Sequence, residues 1–157
     1  KDVQIEKFMH PLDSINDWNN IYGLSGFYQF QCAIPDESEE YLVEIIMKIE
    51  NLGLSSFLTV LKRLGDKSNG ILSFPVKGWT LAVDFSARIK EIKLILLELN
   101  EIVIRAKGRI YLTKDGVTTS DQIRKMYPQI PYFLRVKAKM DPINYWQSDQ
   151  SSRLGLS

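Results

Sequence analysis

The order in which two hydrophobic periodicities alternate along the chain constrains its fold more than any other feature of the sequence. Segments with a period of two, typical of strands, flank and separate two long segments with a period near 3.6, typical of helices. In chain order, the predicted elements are a strand at 26–34, a helix at 36–52, strands at 57–63 and 79–85, a helix at 88–107 and a short strand at 109–113. This β-α-β-β-α-β order is typical of a ferredoxin-like α+β sandwich, in which an antiparallel sheet carries two helices on one face.

Capping residues mark the ends of the first long helix. Asp36-x-x-Glu39 has the spacing of a capping box, and Gly53 is suited to the left-handed residue that ends a helix. Residues 1–24 mix short apolar pieces with turn-forming residues, and we expect a short helix near 14–22.

The pattern changes beyond Lys114. Proline residues interrupt the sequence there, and we predict a C-terminal helical segment with short helices near 120–127 and 130–140. A subdomain boundary is therefore expected near residue 108, where a glycine follows the second long helix.

Composition excludes several classes of protein. The 20 Lys and Arg residues against 19 Asp and Glu leave a net charge of +1, which argues against a chain that works by neutralising a nucleic-acid backbone. The longest aliphatic run, residues 94–97, is far shorter than the roughly 20 residues of a membrane span. Cys32 and His10 are the only residues of their types, so neither a disulfide nor a His/Cys metal site is expected.

Polar side chains on two predicted strands suggest a ligand-binding sheet face. Gln29 and Gln31 lie on the strand face opposite the apolar side chains, and Lys62 shares a face with Leu58 and Val60. If two helices cover one face of the sheet, such a group on the other face could bind hydroxyl groups and phosphate oxygens. The alternative is that these are solvated positions of a one-sided antiparallel sheet.

Other candidate residues favour structural roles. His10 has no carboxylate or thiol at ligand spacing, and Cys32 lies on the apolar strand face and is expected to be an inert core thiol. The glycines form neither G-x-G-x-x-G nor a Walker loop, so no pyrophosphate cradle is predicted. The basic residues that alternate with apolar ones in the C-terminal segment are typical of a solvated helix face: Arg124, Lys125, Arg135, Lys137 and Lys139.

Several motifs, taken together, resemble one enzyme family over essentially the whole chain. The motifs are Pro11-Leu12-Asp13, Asp17-Trp18-Asn19-Asn20-Ile21-Tyr22-Gly23, Gln29-Phe30-Gln31, Ser56-Phe57-Leu58 leading to Lys62, Leu72-Ser73-Phe74-Pro75, Gly78-Trp79, Gly108-Arg109-Ile110-Tyr111-Leu112-Thr113-Lys114-Asp115, Met126-Tyr127-Pro128, Asp141-Pro142, Ser148-Asp149 and Arg153-Leu154. In this order they resemble the C-terminal portion of the decaprenylphosphoryl-β-D-ribose 2′-oxidases, FAD-linked oxidases of the vanillyl-alcohol-oxidase type.

The resemblance implies an enzyme that is larger than this chain. Such a flavoprotein oxidises the ribose 2′-hydroxyl of a polyprenyl-phosphate sugar by hydride transfer to FAD, and a partner reductase completes the epimerisation used in cell-wall arabinan synthesis. It further implies that 1–108 is a substrate-binding domain and that 109–157 completes an FAD-binding domain whose N-terminal part is absent from this chain. A cytoplasmic location is expected, with membrane association through the lipid substrate as a further expectation.

The resemblance also assigns roles to individual residues. Lys62 matches the lysine on the sugar-phosphate side of the pocket, with Gln29 and Gln31 as its polar neighbours. Tyr111 and Lys114, in the Tyr-x-x-Lys-Asp motif, match the pair that meets the flavin and the reacting hydroxyl, and Lys114 is the predicted catalytic residue. The alternative for Lys114 is a solvated lysine paired with Asp115 or Asp121.

The chain departs from the family pattern in two stretches, in ways that reshape the pocket wall. Many members have Asn-x-Cys where this chain has Thr80-Leu81-Ala82, and Met9 replaces an expected aromatic residue. Thr80 is the predicted substrate-binding residue at the first of these positions.

Alternative functions remain open at this point. One is an FAD-linked oxidase of another alcohol or polyol, and another is a non-catalytic ferredoxin-like binding module. The start at Lys1 without an initiator methionine predicts a piece of a longer protein, with N-terminal processing as the alternative. As such a piece, the chain is expected to expose an apolar patch around Phe27 and Val60.

Overall fold

A computed structural model describes residues 4–10 and 16–157. Its strands and helices follow the order predicted from the sequence. The strands are β1 (Phe27–Pro35), β2 (Thr59–Leu64), β3 (Gly78–Ser86) and β4 (Arg109–Ile110). The α-helices are α1 (Ile5–Met9), α2 (Glu39–Asn51), α3 (Ile92–Arg105), α4 (Ser120–Met126), α5 (Ile130–Met140) and α6 (Asp149–Leu154).

The four strands form one antiparallel sheet in the order β2-β3-β1-β4. The helices α2 and α3 each connect two parallel strands that have one strand between them, and the two connections run in opposite directions along the sheet. Because such crossovers are right-handed, both helices lie on the same face, where both pack against β1. This arrangement confirms the predicted ferredoxin-like α+β architecture, in which the central strands β1 and β3 are long and the outer strands shorter.

The core lies between this sheet face and the two helices. Alternate residues of β1 and β3 are buried there against Ile45 of α2 and Leu99 and Val103 of α3. Each side chain of this kind contributes roughly 1.5–3 kcal/mol through its removal from water. The strand residues in this layer are Phe30, Cys32, Ile34, Leu81, Val83 and Phe85.

The C-terminal helices extend the same core. Ile123, Tyr127, Ile130 and Leu154 belong to the buried cluster that contains the sheet residues. The Tyr127 hydroxyl donates a hydrogen bond of 2.7 Å to the Ile110 carbonyl oxygen, which satisfies its polar end inside the core. The division of functions between 1–108 and 109–157 stays a prediction, since the two segments share one apolar interior.

Both long helices begin later than predicted, α2 at Glu39 and α3 at Ile92. The Asp36-x-x-Glu39 capping box does not form, because Asp36 pairs with Arg63 of β2 at 2.7 Å and Glu39 accepts a hydrogen bond from the Trp79 indole. A short 3-10 turn at Asp36–Ser38 precedes α2 instead. Both predicted capping side chains therefore tie the helix start to the sheet.

Several smaller elements also differ from their predicted bounds. The predicted helix near 14–22 is a 3-10 helix over Trp18–Tyr22, while residues 14 and 15 lie outside the described part of the chain. The helices near 120–127 and 130–140 are confirmed as α4 and α5, whereas α1 and α6 were not predicted. No helix in the described ranges is both long and apolar enough to cross a membrane.

The fourth strand is shorter than predicted. It ends at Ile110 rather than Thr113, and the chain turns into a 3-10 helix over Leu112–Lys114. The Tyr111 N–H still donates to the Gln31 carbonyl oxygen at 2.8 Å, so the turn begins beside the central strand. This turn brings Tyr111 to the edge of the uncovered sheet face.

Gly108 is predicted to tolerate no side chain, because it lies where the α3–β4 turn approaches β1 most closely. A Cβ atom there would lie 2.5 Å from the Ala33 carbonyl oxygen, whereas a Cβ at Gly65 would meet no atom within 4 Å. We expect Gly108→Ala to lower the free energy of unfolding by about 1–3 kcal/mol. Gly65→Ala, the matched control, should leave it unchanged or raise it by up to about 1 kcal/mol. Equal urea midpoints for the two variants would contradict the close approach.

Candidate functional site

The sheet face opposite α2 and α3 brings four of the predicted site residues together. Residues paired across antiparallel strands point to the same side of a sheet. Thr80 pairs with Lys62 on β2, and Gln29 pairs with Asp84 on β3. Gln31 pairs with Ala82 and lies between these two positions along β1. We call this surface the open face, and define it by Gln29, Gln31, Val60, Lys62, Thr80, Ala82 and Asp84.

A buried carboxylate anchors one end of the open face. Asp84 is only 2% exposed, and its two oxygens accept different hydrogen bonds. The Tyr22 hydroxyl donates to Oδ2 at 2.6 Å, and the Gln29 amide Nε2 donates to Oδ1 at 2.6 Å. Partial burial, together with the hydrogen bond and negative charge of Asp84, raises the pKa of Tyr22 to about 12. The phenol therefore remains a neutral donor at neutral pH.

Sequence reasoning missed both Asp84 and the role of Tyr22. Tyr22 was part of a family motif but was given no function, and Asp84 lies in a mostly apolar strand. The pairing of β1 with β3 contains the signal that could have identified this contact. A carboxylate that lies opposite a glutamine on the polar side of two neighbouring strands can form such a hydrogen bond. Recognising it requires the register of β1 against β3, which the sequence does not state.

Gln31 and Tyr111 line one cavity of about 530 Å³ beside the open face. The Gln31 amide donates to the Thr80 hydroxyl at 3.2 Å, and the Tyr111 ring packs against Phe74 with ring centroids 4.6 Å apart. The remaining lining is mainly apolar and comes from residues near Phe74 and Tyr111: Leu72, Pro75, Leu112, Thr113 and Tyr127. The cavity thus combines amide and hydroxyl groups with aromatic walls, a lining suited to a small organic ligand.

Arg109 holds one wall of this cavity in place. Its guanidinium donates to the Ser73 carbonyl oxygen and lies 5.4 Å from the centroid of the Tyr127 ring. The Ser73 hydroxyl accepts a further hydrogen bond from the Ser68 backbone at 3.1 Å. These contacts fix the segment 71–75 against β4.

Lys62 and Lys114 are exposed at opposite sides of the sheet. Lys62 is on the edge strand β2, and Lys114 ends the turn after β4. Neighbouring strands lie about 4.8 Å apart, so three intervals separate the two strand backbones by about 14 Å. Within the described residues, no carboxylate lies within 4 Å of either ammonium group.

The pairing of Lys114 with Asp115, the alternative to a catalytic role, does not form. The Asp115 carboxylate binds Arg153 at 2.8 Å and accepts a hydrogen bond from the Thr118 N–H at 2.8 Å. No ion pair joins Lys114 to Asp121 in the described part of the chain either. Lys114 therefore keeps its charge available to a ligand, although it does not line the cavity that contains Tyr111.

Apolar side chains border the open face near Asp84. The Tyr22 ring stacks on Phe27 at a centroid distance of 3.9 Å and meets Phe57 edge-on at 5.9 Å. Phe27, Phe57 and Leu58 are each more than a third exposed, at 41%, 57% and 38%. Val60, which was expected in this patch, is half-buried.

One expectation for the basic residues of the C-terminal segment is wrong. Lys137 is not a solvated side chain: it is 17% exposed, pairs with Asp141 at 3.1 Å and donates to Asn144.

His10 and Cys32 keep the structural character that was predicted for them, since His10 is exposed and Cys32 is buried. Within residues 4–10 and 16–157, no group of three or more His, Cys, Asp and Glu residues could hold a metal ion.

Comparison with known proteins identifies a curated relative that matches nearly the whole chain. Decaprenylphosphoryl-β-D-ribose oxidase of Mycolicibacterium smegmatis is 38% identical over 154 residues, which are 97% of this chain and 33% of that protein. The chain is therefore similar to a part of this oxidase. A protein of Streptomyces coelicolor, described as an uncharacterized protein in the mprA 5′ region, is 34% identical over 131 residues, or 83% of this chain and 36% of that protein.

These comparisons confirm the resemblance inferred from the motifs. The chain spans about a third of the length of either relative. No family model matches the chain.

The burial of Cys32 predicts a thiol that is unreactive until the protein unfolds. The side chain is fully buried, and burial raises the pKa of the thiol to about 12. Because the thiolate is the reactive form, modification by a disulfide reagent at pH 8 should be at least 10-fold slower in the native protein than in urea. Equal rates in the two conditions would show that β1 is not buried as described.

Proposed function

We propose that this chain is the substrate-binding part of an FAD-dependent oxidoreductase that acts on a CH–OH group. Similarity to decaprenylphosphoryl-β-D-ribose oxidase over 97% of the chain carries this proposal. The open face supports it independently, because amide, hydroxyl and ammonium groups there are suited to a phosphorylated sugar. The chain spans about a third of that relative, so the complete activity belongs to a longer protein.

Four residues of the open face have a defined task in this proposal. Lys62 attracts the substrate phosphate as a point charge, which lowers the energy of the ground state and transition state alike. Gln29 and Gln31 hydrogen-bond the sugar hydroxyls and hold the carbon that is oxidised in one orientation. Thr80 is buried, and its hydroxyl holds the Gln31 amide in place beside them. The sheet backbone keeps these groups rigid relative to one another.

Tyr111 and Lys114 are the residues of this chain that fit FAD. Tyr111 presents an aromatic ring to a mainly apolar cavity, and Lys114 presents an ammonium group with no carboxylate within 4 Å in the described residues. An aromatic ring and a cation suit the isoalloxazine, which when bound supplies the acceptor for the hydride. Lys114 would stabilise the negative charge that develops there and would contact the reacting hydroxyl. The pyrophosphate requires an N-terminal FAD domain, since no glycine-rich cradle occurs in this sequence.

The specific substrate we propose is a polyprenyl-phosphate ribose, oxidised at its 2′-hydroxyl. The reaction produces a ketone, so a partner reductase would complete an epimerisation in cell-wall arabinan synthesis. The proposed location is cytoplasmic, with membrane association through the lipid substrate.

A second candidate is an FAD-linked oxidase of another alcohol or polyol. It is favoured by Thr80 and Ala82, which replace the Asn and Cys of many family members on the open face. Alanine is smaller than cysteine, which leaves more room opposite Gln31, and threonine replaces the amide of asparagine by a hydroxyl opposite Lys62. Comparing polyprenylphosphoryl ribose with free polyols as substrates of the full-length protein separates the two candidates.

Purified alone, the 157-residue chain should be colourless. It supplies residues for the flavin ring but none for the pyrophosphate, and charge contacts at phosphates provide much of the affinity for such cofactors. Absorbance near 450 nm and equilibrium dialysis against FAD measure this directly. A yellow preparation with nearly one FAD per chain would contradict the proposal that an N-terminal domain holds the cofactor.

Kinetics of lysine variants in the full-length protein test the assigned roles. Lys114→Ala should slow flavin reduction by about 10²-fold or more, as is typical when a preorganised charge contact is lost. Lys62→Ala should mainly raise KM, because its attraction for phosphate is the same before and during hydride transfer. Lys93→Ala, an exposed lysine on α3 behind the sheet, is the matched control and should change neither parameter.

Stopped-flow spectroscopy of flavin reduction provides the measurement. A wild-type rate of flavin reduction in Lys114→Ala would show that Lys114 takes no part in the reaction. An unchanged KM in Lys62→Ala would show that Lys62 does not contact the substrate phosphate. The fold and the sequence similarity would be unaffected by that result.

A further inference from the structure

The hydrogen bonds of Asp84 determine which way the Gln29 side chain presents its amide. An ionised carboxylate can only accept hydrogen bonds, so the group that faces Asp84 Oδ1 at 2.6 Å must be the Gln29 NH₂. The other carboxylate oxygen is engaged by the Tyr22 hydroxyl at 2.6 Å. Short contacts of this kind to a buried charge are among the strong hydrogen bonds in proteins.

The consequence is that Gln29 presents its carbonyl oxygen away from Asp84. No hydrogen bond among the described residues uses Gln29 Oε1, and no buried side-chain oxygen in this part of the chain lacks a partner. Gln29 itself is half-buried, so part of this side chain reaches the surface of the open face. The oxygen can accept a hydrogen bond, but it cannot donate one.

Gln31 provides a contrast on the same strand. Its amide donates to the Thr80 hydroxyl at 3.2 Å, but a hydroxyl both donates and accepts. The Gln31 amide could therefore rotate by 180° and keep a bond to Thr80. Of the two glutamines, Gln29 is the one whose polarity is imposed by its partner.

We propose that Asp84 is a positioning residue that makes Gln29 an obligate acceptor for one hydroxyl of the substrate. The inference rests on the proposed function, because it specifies how the open face recognises a sugar. A hydroxyl can donate to Gln29 Oε1, whereas a group that only accepts leaves that oxygen without a partner. Such a site discriminates strongly against analogues that lack the donor.

Binding of fluorinated analogues to the full-length protein tests this recognition. The probes are a short-chain prenylphosphoryl ribose and its analogues in which each ring hydroxyl in turn is replaced by fluorine, which cannot donate. In the wild-type protein, one analogue should bind at least 10-fold more weakly than the parent compound. Equal affinities for the parent and every analogue would overturn the inference.

Two variants identify Asp84 as the source of the discrimination. Asp84→Asn can offer its own NH₂ group to Gln29, which allows the Gln29 amide to turn. The ratio of the affinity for the parent compound to that for the discriminated analogue should then fall below about 3-fold. Gln29→Leu removes the acceptor itself and should narrow the same ratio, which keeps the test decisive if Asp84→Asn does not fold. Asp141→Asn makes the same chemical change in a carboxylate of the C-terminal segment and should keep the wild-type ratio.

A measurement without substrate tests the orientation of the amide separately. In protein labelled with ¹⁵N-glutamine, the Gln29 NH₂ protons should exchange with deuterium at least 10-fold more slowly than those of the exposed Gln129. Asp84→Asn should remove this protection. Equally fast exchange of Gln29 and Gln129 in the wild-type protein would show that Asp84 does not hold the amide.

The two measurements separate failure of this inference from failure of the proposed function. If the parent sugar does not bind at all, the proposed function fails, and the recognition of a sugar hydroxyl fails with it. If it binds and the ratio is the same in wild-type protein, Asp84→Asn and Gln29→Leu, only the role of Asp84 and Gln29 fails.

Discussion

The burial of one face of the sheet under α2 and α3 is the interaction on which the rest of the structure depends. Both helices cover the same face because each makes a right-handed crossover between parallel strands, and the two crossovers run in opposite directions along the sheet. Phe30, Leu81 and Leu99 meet in the resulting layer. Since side chains alternate along a strand, the residues between the buried ones must point to the opposite face. The packing of the core thereby places Gln29, Gln31, Thr80 and Lys62 on a common surface.

The second constraint is the buried charge of Asp84. A carboxylate that is withdrawn from water without partners is destabilising by several kcal/mol, typically about 3–5 when a partner is removed. Tyr22 and Gln29 offset this cost with one short hydrogen bond to each oxygen. The carboxylate thus links the 3-10 helix that precedes β1 to the centre of the sheet. A polar network of this kind specifies one arrangement of its members more strictly than apolar packing does.

The sequence predicts those parts of the structure that follow from periodicity. The four strands and two long helices were expected because alternation in steps of two and of 3.6 persists over each segment, and the open face follows from that alternation alone. Local capping rules were less informative, because Asp36 and Glu39 satisfy a capping pattern but bind Arg63 and Trp79 instead. Long-range contacts of this kind depend on which strands pair, which a single segment does not reveal.

The same limit explains what the sequence left out of the candidate site. Asp84 and Tyr22 are separated by 62 positions, and only the register of the sheet and the turn before β1 bring them into contact. Lys137 also differed from its expected solvated state, because Asp141 and Asn144 follow it within one loop and fold back onto its ammonium group. The sequence shows the chemical type of each of these residues, but it does not show which residues they contact in the fold.

A crystal structure of the full-length protein with polyprenylphosphoryl ribose tests the role of the open face most directly. We expect the sugar on the open face, within hydrogen-bond distance of Gln29 and Gln31, with its phosphate beside Lys62 and its oxidised carbon towards Tyr111 and Lys114. A sugar bound away from these residues, or an open face covered by another segment of the same protein, would contradict this role.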